Sequence, residues 1–191
     1  ALIDLGYDDV IDDYVLTANI SAVTSLDVSD KEISDLTGIE GFTTLTILSC
    51  DNNAITALDV SVNTALTTLY CSANQLTALD VSSNTNLTEL SCGENALTAL
   101  DVSVNTALTT LYCSANQLTA LDVSSNTALT ILNCDYNQLT YLNMSNGATD
   151  QITLFNATNN SLDCIEVNAG GVGYATTNWT NENGNIDDGV I

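Results

Sequence analysis

The sequence repeats itself every 21 residues, and this period limits the possible folds more than any other feature. Residues 69–84 read LYCSANQLTALDVSSN, and residues 111–126 read the same letters again. One cysteine marks each repeat: Cys50, Cys71, Cys92, Cys113 and Cys134. Self-similarity with a period of about 20 to 50 residues is typical of solenoids, in which each coil buries its apolar face against the next. We therefore predict a repeat solenoid of stacked coils.

One coil, residues 66–87, divides into two similar halves. The first half follows L-x-x-L-x-C-x-x-N-x-L, and the second follows L-x-x-L-x-V-x-x-N-x-x-L. In each half two apolar residues flank one outward residue, Tyr70 or Asp80, which is the alternation of a half-buried strand. The pattern predicts two short strands in each coil, and hence two stacks of short parallel strands.

Asparagines close both halves of the coil where the chain must turn. An asparagine side chain can satisfy turn backbone groups that neither sheet pairs. Stacking of the coils predicts two ladders with a structural role. The first contains Asn53, Asn74, Asn95, Asn116 and Asn137, and the second contains Asn63, Asn84, Asn105, Asn126 and Asn146.

The repeat resembles the short bacterial form of the leucine-rich repeat, with the framework L-x-x-L-x-C-x-x-N-x-L-x-x-L-D-V-S-x-N-x-x. The segments ALIDLGYDDVIDDYV and CIEVNAGGVGYATTNWTN resemble the ends of secreted surface proteins of the Bacteroidetes kind. The resemblance implies one structural domain, a right-handed coil of mostly strand and loop. Its parts are a short helical N-terminal cap at 1–22, the solenoid at 23–167 and a C-terminal cap or tail at 168–191. It also implies export, and the start at Ala1 inside a predicted helix favours a processed chain.

The charge balance excludes several classes of partner. The chain carries 24 acidic side chains and a single lysine, Lys31, with no arginine or histidine, so its formal net charge is -23. Binding of nucleic acid or anionic lipid depends on Lys and Arg, so neither is an expected partner. No apolar run reaches the roughly 18 to 20 residues of a membrane helix, so we expect no membrane insertion. A field of this sign attracts cations.

The cysteines are predicted to mark the core rather than a chemical site. The five repeat cysteines recur at leucine-type positions, which favours buried free thiols that act as small hydrophobic residues. Cys164 is out of register with them and is expected to project outward.

Catalysis has little support in the sequence. The chain has no histidine for proton transfer, no arginine to hold an anion and no serine in a Gly-x-Ser-x-Gly setting. A carboxylate pair of the glycosidase type stays open. We expect a protein that is not an enzyme.

The outward residues of the first stack form the candidate surface for binding a partner. Its middle column contains Ser49, Tyr70, Ser91, Tyr112 and Asn133. Two tyrosines two coils apart are separated by roughly 10 Å, since strands lie about 4.8 Å apart. Such a pair could stack on a sugar or pack on a peptide. The alternative is that tyrosine simply suits a strand surface.

The second stack presents a column of aspartates: Asp59, Asp80, Asp101 and Asp122. Carboxylates about 4.8 Å apart repel one another, by several kcal/mol at an effective dielectric of about 20. Splayed rotamers with salt screening, hydrogen bonds from serine and backbone groups, a raised pKa or bound calcium would each relieve the repulsion. Calcium is therefore a possible ligand of this column.

These features together predict an extracellular or cell-surface module that binds a protein or glycan partner, in adhesion or as a spacer. A second hypothesis is a structural subunit whose coils stack into a surface fibre, by self-association. A third is an ice-binding protein, since regular solenoid faces rich in threonine can order water, although the aspartate column disfavours that face.

Overall fold

The structure, a computed structural model, describes residues 5–7, 9 and 15–190. It is a solenoid of parallel strands, as the period predicts. Seven strands form the first sheet: β1 Ser25–Asp27, β2 Ile47–Ser49, β3 Thr68–Tyr70, β4 Glu89–Ser91, β5 Thr110–Tyr112, β7 Ile131–Asn133 and β9 Leu154–Asn156. Three strands form the second sheet: β6 Ala120–Asp122, β8 Tyr141–Met144 and β10 Glu166–Val167. The α-helices are α1 Thr17–Ile20 and α2 Val172–Asn178, and single 3-10 turns lie at Ile39–Gly41 and Thr149–Gln151. Within the described ranges, no helix is long and apolar enough to cross a membrane.

Each coil contributes equivalent apolar positions to one continuous core. In the coil of residues 66–87 these positions are Leu66, Leu69, Cys71, Leu76, Leu79 and Val81. The strand leucines lie in register, so Leu48, Leu69 and Leu90 stack from coil to coil. Because each of these side chains is buried by its equivalents in the adjacent coils, an isolated coil could not offset its own loss of conformational entropy.

The second sheet is shorter than the sequence predicts, because only coils near the C-terminus contribute strands to it. Residues 57–60, 78–81 and 99–102 run along the same side of the solenoid without strand pairing. The leucines on this side are more exposed where the strands are missing: Leu58, Leu79 and Leu100 are 9%, 8% and 7% exposed, against 1% for Leu121 and 0% for Leu142. We infer that the coils, which are hydrogen-bonded along the first sheet, lie further apart on the opposite side. The second sheet forms only where the coils approach one another again.

Each asparagine of the first ladder makes four or more hydrogen-bond contacts, at least two to the preceding coil and two within its own coil. Asn74 Nδ2 donates to the carbonyl of Cys50 in the preceding coil and to those of Cys71 and Ser72 in its own coil, at 3.0 to 3.2 Å. Asn74 Oδ1 accepts from the Ile55 N–H at 3.0 Å. Equivalent contacts recur at Asn53, Asn95, Asn116, Asn137 and Asn160. The predicted role of this ladder in satisfying turn backbone groups is confirmed.

The second ladder makes fewer contacts than the first. Asn84 Nδ2 donates to the carbonyls of Val60 and Asn63, both at 3.0 Å. The Oδ1 atom has no hydrogen-bond partner among the described residues at four buried positions: Asn63, Asn84, Asn105 and Asn126. The sequence pattern treats the two ladders alike, whereas the structure makes them unequal.

A C-terminal cap covers the last coil and the free edge of β9. Trp179, which follows α2, packs its ring on Phe155 of β9 with centroids 4.3 Å apart. Asn185 accepts from the Ala157 N–H and donates to the Phe155 carbonyl, so the tail pairs with the strand edge. Asp187 accepts from two further backbone N–H groups of the last turn, at 2.9 Å.

At the N-terminal end, α1 and a ring contact between Tyr7 and Phe42 lie over the first coil. Residues 1–4, 8 and 10–14 of the predicted helical cap lie outside the described residues. The boundaries at 22 and 167 stay predictions.

The unequal ladders predict unequal effects of substitution. The two N–H donors of Nδ2 are shared among three carbonyls, so Asn74→Ala removes the equivalent of three hydrogen bonds and Asn84→Ala removes two, each worth about 1 kcal/mol net. We expect the free energy of unfolding to fall by about 3 kcal/mol for Asn74→Ala and by about 2 kcal/mol for Asn84→Ala. Urea denaturation followed by circular dichroism measures both.

Two further variants serve as controls for this comparison. Asn116→Ala should match Asn74→Ala, because Asn116 makes the same four contacts two coils further on. Asn86→Ala should have little effect, since exposed Asn86 makes a single bond, to Thr64. Equal losses for Asn74→Ala and Asn84→Ala would contradict the assignment.

Candidate functional site

The outward face of the first sheet carries the predicted column of partner-binding residues in one continuous row. Strand register aligns Ser49 with Tyr70, Tyr70 with Ser91, Ser91 with Tyr112, and Tyr112 with Asn133. All five side chains are partly exposed. The structure therefore brings the predicted residues together on one surface, and their role in binding stays a prediction.

The row extends beyond the five residues predicted from the sequence. Asp27 of β1 lies in register with Ser49 at one end, and Asn156 of β9 lies in register with Asn133 at the other. The signal for Asp27 was present in its apolar neighbours Leu26 and Val28, which occupy the core positions of the first coil. The signal for Asn156 was weaker, because Phe155 and Ala157 replace the usual leucine and cysteine.

Hydrogen bonds hold the outward residues that come just after the row in each coil. Asp51 Oδ1 accepts from the Ser72 N–H at 2.6 Å, and Asn156 Nδ2 donates to Asp135 Oδ2 at 2.9 Å. The hydroxyls of Ser72 and Ser91 are hydrogen-bonded at 2.8 Å. These bonds run between coils, so they hold the small outward side chains in place before any partner arrives.

Each carboxylate of the aspartate column, on the opposite side of the solenoid, accepts a hydrogen bond from its own coil. The Oδ1 atom of each aspartate accepts from the backbone N–H of the serine two residues later, at 2.8 to 2.9 Å: Asp59, Asp80, Asp101 and Asp122. Hydrogen bonds from that serine lower the pKa of all four carboxyls. Of the relief mechanisms that the sequence left open, hydrogen bonding is therefore the one observed. No group of three or more His, Cys, Asp or Glu that could hold a metal ion occurs in the described part of the chain, and calcium binding stays a prediction.

The five repeat cysteines form a buried column behind the first sheet. Cys50, Cys71, Cys92, Cys113 and Cys134 are all fully buried free thiols, as predicted. Burial raises the pKa of each thiol, to about 12 for Cys50 and Cys92. Cys164 is free and exposed, which confirms its predicted outward position. A thiol that is not ionised is a poor nucleophile, so these five buried thiols are unreactive at neutral pH.

Comparison with known proteins agrees with this geometry. Internalin J of Listeria monocytogenes is 46% identical over 52 residues, which are 27% of this chain and 6% of that protein. The solved functional domain of InlJ from Listeria monocytogenes, described as including a cysteine ladder, is 35% identical with a TM-score of 0.51. That match covers 79% of this chain and 45% of the InlJ domain. The fold is that of the leucine-rich repeat proteins.

A plant protein shares the same fold. The leucine-rich repeat ectodomain of the receptor kinase GASSHO1/SCHENGEN3 from Arabidopsis thaliana, solved in complex with CASPARIAN STRIP INTEGRITY FACTOR 2, is 24% identical with a TM-score of 0.67. The match covers 78% of this chain and 20% of the ectodomain. The leucine-rich repeat chain thus spans less than half the length of each of these proteins, and no family model matches it. A closer relation to Bacteroidetes surface proteins stays a prediction.

Two carboxyls on the first-sheet face of this leucine-rich repeat differ from the aspartate column. Partial burial raises the pKa of Asp51 and of Asp135, and the charges of Asp27 and Asp30 add to the effect at Asp51. Tyr70 also has a raised pKa, first because of burial and then because of a hydrogen bond with Glu89. The first-sheet face therefore carries carboxyls that are partly desolvated, whereas the aspartate column is well solvated.

The buried thiols predict selective modification. In the native protein, a thiol reagent such as DTNB at pH 8 should titrate one cysteine, Cys164, and denaturation should expose all six. A Cys164→Ser variant should show no fast-reacting thiol. Rapid reaction of more than one thiol in the folded protein would show that the cysteine column is accessible.

The raised pKa of Asp51 predicts a gain in stability on neutralisation. A carboxyl whose folded-state pKa lies above its unfolded value near 3.8 weakens the fold above the folded-state pKa, and the effect vanishes below the unfolded value. We therefore expect Asp51→Asn to raise the urea midpoint at pH 7 and to leave it unchanged below about pH 3.8. The substitution keeps an oxygen acceptor for the Ser72 N–H.

Asp163→Asn is the matched control for this prediction. It removes the same charge from an exposed position away from the first-sheet face. If both variants gained equally at pH 7, the effect would reflect net charge alone and not the burial of Asp51.

Proposed function

We propose that this chain is a non-catalytic binding module that acts outside the cell or at its surface, in adhesion, by recognising a protein or glycan partner. Contact is made through the first-sheet face, with Ser49, Tyr70, Ser91, Tyr112 and Asn133 at its centre. The likeness to internalin J supports a binding role, as does the leucine-rich repeat ectodomain that was solved with its partner.

One observation carries the proposal: the core is constant from coil to coil, whereas the row on the first-sheet face is not. The inward strand residue is leucine in the first six strands of the sheet and phenylalanine in the seventh. The outward row reads Asp, Ser, Tyr, Ser, Tyr, Asn and Asn over the same strands. The aspartate positions of the opposite side, by contrast, repeat unchanged over four coils. A rigid frame that displays different side chains on one face suits recognition.

The side-chain chemistry supports a non-catalytic role. The sequence contains no histidine and no arginine, and the five repeat thiols are buried with raised pKa values. The exposed aspartates have lowered pKa values, so they are ionised at neutral pH and poor general acids.

The two other hypotheses have less support in the geometry. End-to-end stacking of coils into a fibre needs a free strand edge, and the tail around Asn185 and Asp187 occupies the edge of β9. Ice binding needs a flat, regular and uncharged surface, whereas the first-sheet face carries Asp51, Glu89 and Asp135 among its outward residues.

The test is an array of cell-surface proteins and glycans probed with the purified chain. We expect at least one saturable ligand whose binding falls by about tenfold or more in Tyr70→Ala/Tyr112→Ala, since buried aromatic side chains dominate most interfaces. Tyr136→Ala is the matched control, because Tyr136 is exposed in a turn outside the row. Ligand binding that is indifferent to Tyr70 and Tyr112 would place the contact surface elsewhere and refute the proposal.

A further inference from the structure

At the centre of the first-sheet face a serine of β4 lies between two tyrosines of the adjacent strands, and the space between those tyrosines is called the slot. Tyr70 and Tyr112 form its two walls, and Ser91 lies between them, in register with both. Because neighbouring strands are about 4.8 Å apart, the two tyrosines are separated by roughly 9.6 Å. Both tyrosines are partly exposed, and the charge of Tyr112 contributes to the raised pKa of Tyr70.

The floor of the slot is low and fixed. Gly93 is buried two residues after Ser91, and a Cβ atom at Gly93 would lie 3.1 Å from both the carbonyl oxygen and the Oγ of Ser114. A larger residue would press on the neighbouring coil and raise the floor. The Ser91 hydroxyl is held by the hydroxyl of Ser72 at 2.8 Å.

One end of the slot carries a carboxylate. Glu89 precedes Ser91 by two residues on the same outward face of β4, between Thr68 and Thr110 of the adjacent strands. Its carboxylate contributes to the raised pKa of Tyr70, after burial of the Tyr70 side chain. The slot therefore combines two aromatic walls with one anionic end.

This combination selects a planar cation. A group halfway between the rings lies about 4.8 Å from each, within the roughly 6 Å over which a cation is attracted to an aromatic face. A guanidinium is planar, stacks on aromatic rings and pairs with a carboxylate through parallel N–H donors. A lysine ammonium makes a point contact only, and a neutral sugar gains nothing from the charge of Glu89.

We propose that the slot between Tyr70 and Tyr112 binds an arginine side chain of a basic protein segment. The assignment rests on the proposed binding function and names the class of partner. The charge of the whole chain supports it: a net charge of -23 with Lys31 as its single basic side chain attracts a basic segment over long range. Carboxylates of Asp51 and Asp135, further along the same face, border the path that such a segment would take.

The test uses three end-blocked pentapeptides, Gly-Gly-Xaa-Gly-Gly, in which Xaa is arginine, lysine or the neutral isostere citrulline. Each is titrated into the labelled full chain at about 0.15 M salt, which screens long-range attraction, and binding is followed by amide NMR shifts. We expect saturable shifts confined to residues around Ser91 for the arginine peptide. Affinity should fall about fivefold or more with lysine and about tenfold or more with citrulline.

Substitutions localise the effect to the slot. Glu89→Gln and Tyr112→Ala should each weaken the arginine peptide about fivefold or more, whereas Tyr112→Phe should keep most of the affinity. Glu182→Gln removes the same charge from an exposed position in the C-terminal tail and should have no effect. Urea midpoints of all variants establish that the fold is retained.

Several outcomes overturn the inference. Shifts spread over the acidic surface, equal losses for Glu89→Gln and Glu182→Gln, or equal affinity for citrulline would each show nonspecific attraction or none. The proposed function fails separately: array ligands that require Tyr70 and Tyr112 but not Glu89, without arginine binding, would refute the slot assignment and leave the binding face intact. Array ligands indifferent to the tyrosines would refute the binding face instead.

Discussion

The amide group of one asparagine per coil holds this solenoid in register. Asn74 and its equivalents donate to carbonyls of their own coil and of the preceding coil, at the turn that follows each strand of the first sheet. The residue before each of these asparagines has a positive φ, as at Ala73 and Ala115, so the chain reverses sharply there. Backbone carbonyls inside such a turn lose their hydrogen bonds to water, and the asparagine side chain replaces those bonds. Every coil must therefore place its asparagine amide and its turn carbonyls at equivalent positions.

Because the register is fixed, the same repeat aligns both the buried core residues and the outward residues of the first-sheet face. Leucine stacks on leucine and cysteine on cysteine, because a 21-residue step returns each position to its equivalent in the next coil. The same step lines up the outward residues, where selection by packing is weak and the sequence is free to vary. The alternation of Tyr70, Ser91 and Tyr112 becomes a slot only because the frame beneath it does not shift.

The period predicts what repeats, and it cannot predict the distance between repeats. The buried thiols, the inward leucines, the outward row and the asparagine ladders all follow from counting positions along the chain. The fanning that leaves Leu58 and Leu79 slightly exposed and shortens the second sheet depends on coil spacing in three dimensions. Coil spacing also determines that Asn74 Oδ1 has a hydrogen-bond donor whereas Asn84 Oδ1 has none among the described residues. In the sequence Gly93 takes the place of Ser72 and Ser114 in the adjacent coils, and only the close approach of Ser114 in the structure shows why a side chain there would not fit.

The two faces of the solenoid differ in how they stabilise the charge of their carboxylates. Each aspartate of the repeated column accepts hydrogen bonds from its own serine, so its charge is stabilised within the coil that carries it. Asp51 and Asp135 lie in partly buried surroundings that raise their pKa, and a nearby cation would lower it again. A basic partner bound to the first-sheet face would offset the cost of these partly buried charges and would stabilise the protein. Under the proposed function, the raised pKa values on this face and its recognition of a basic partner have the same physical origin.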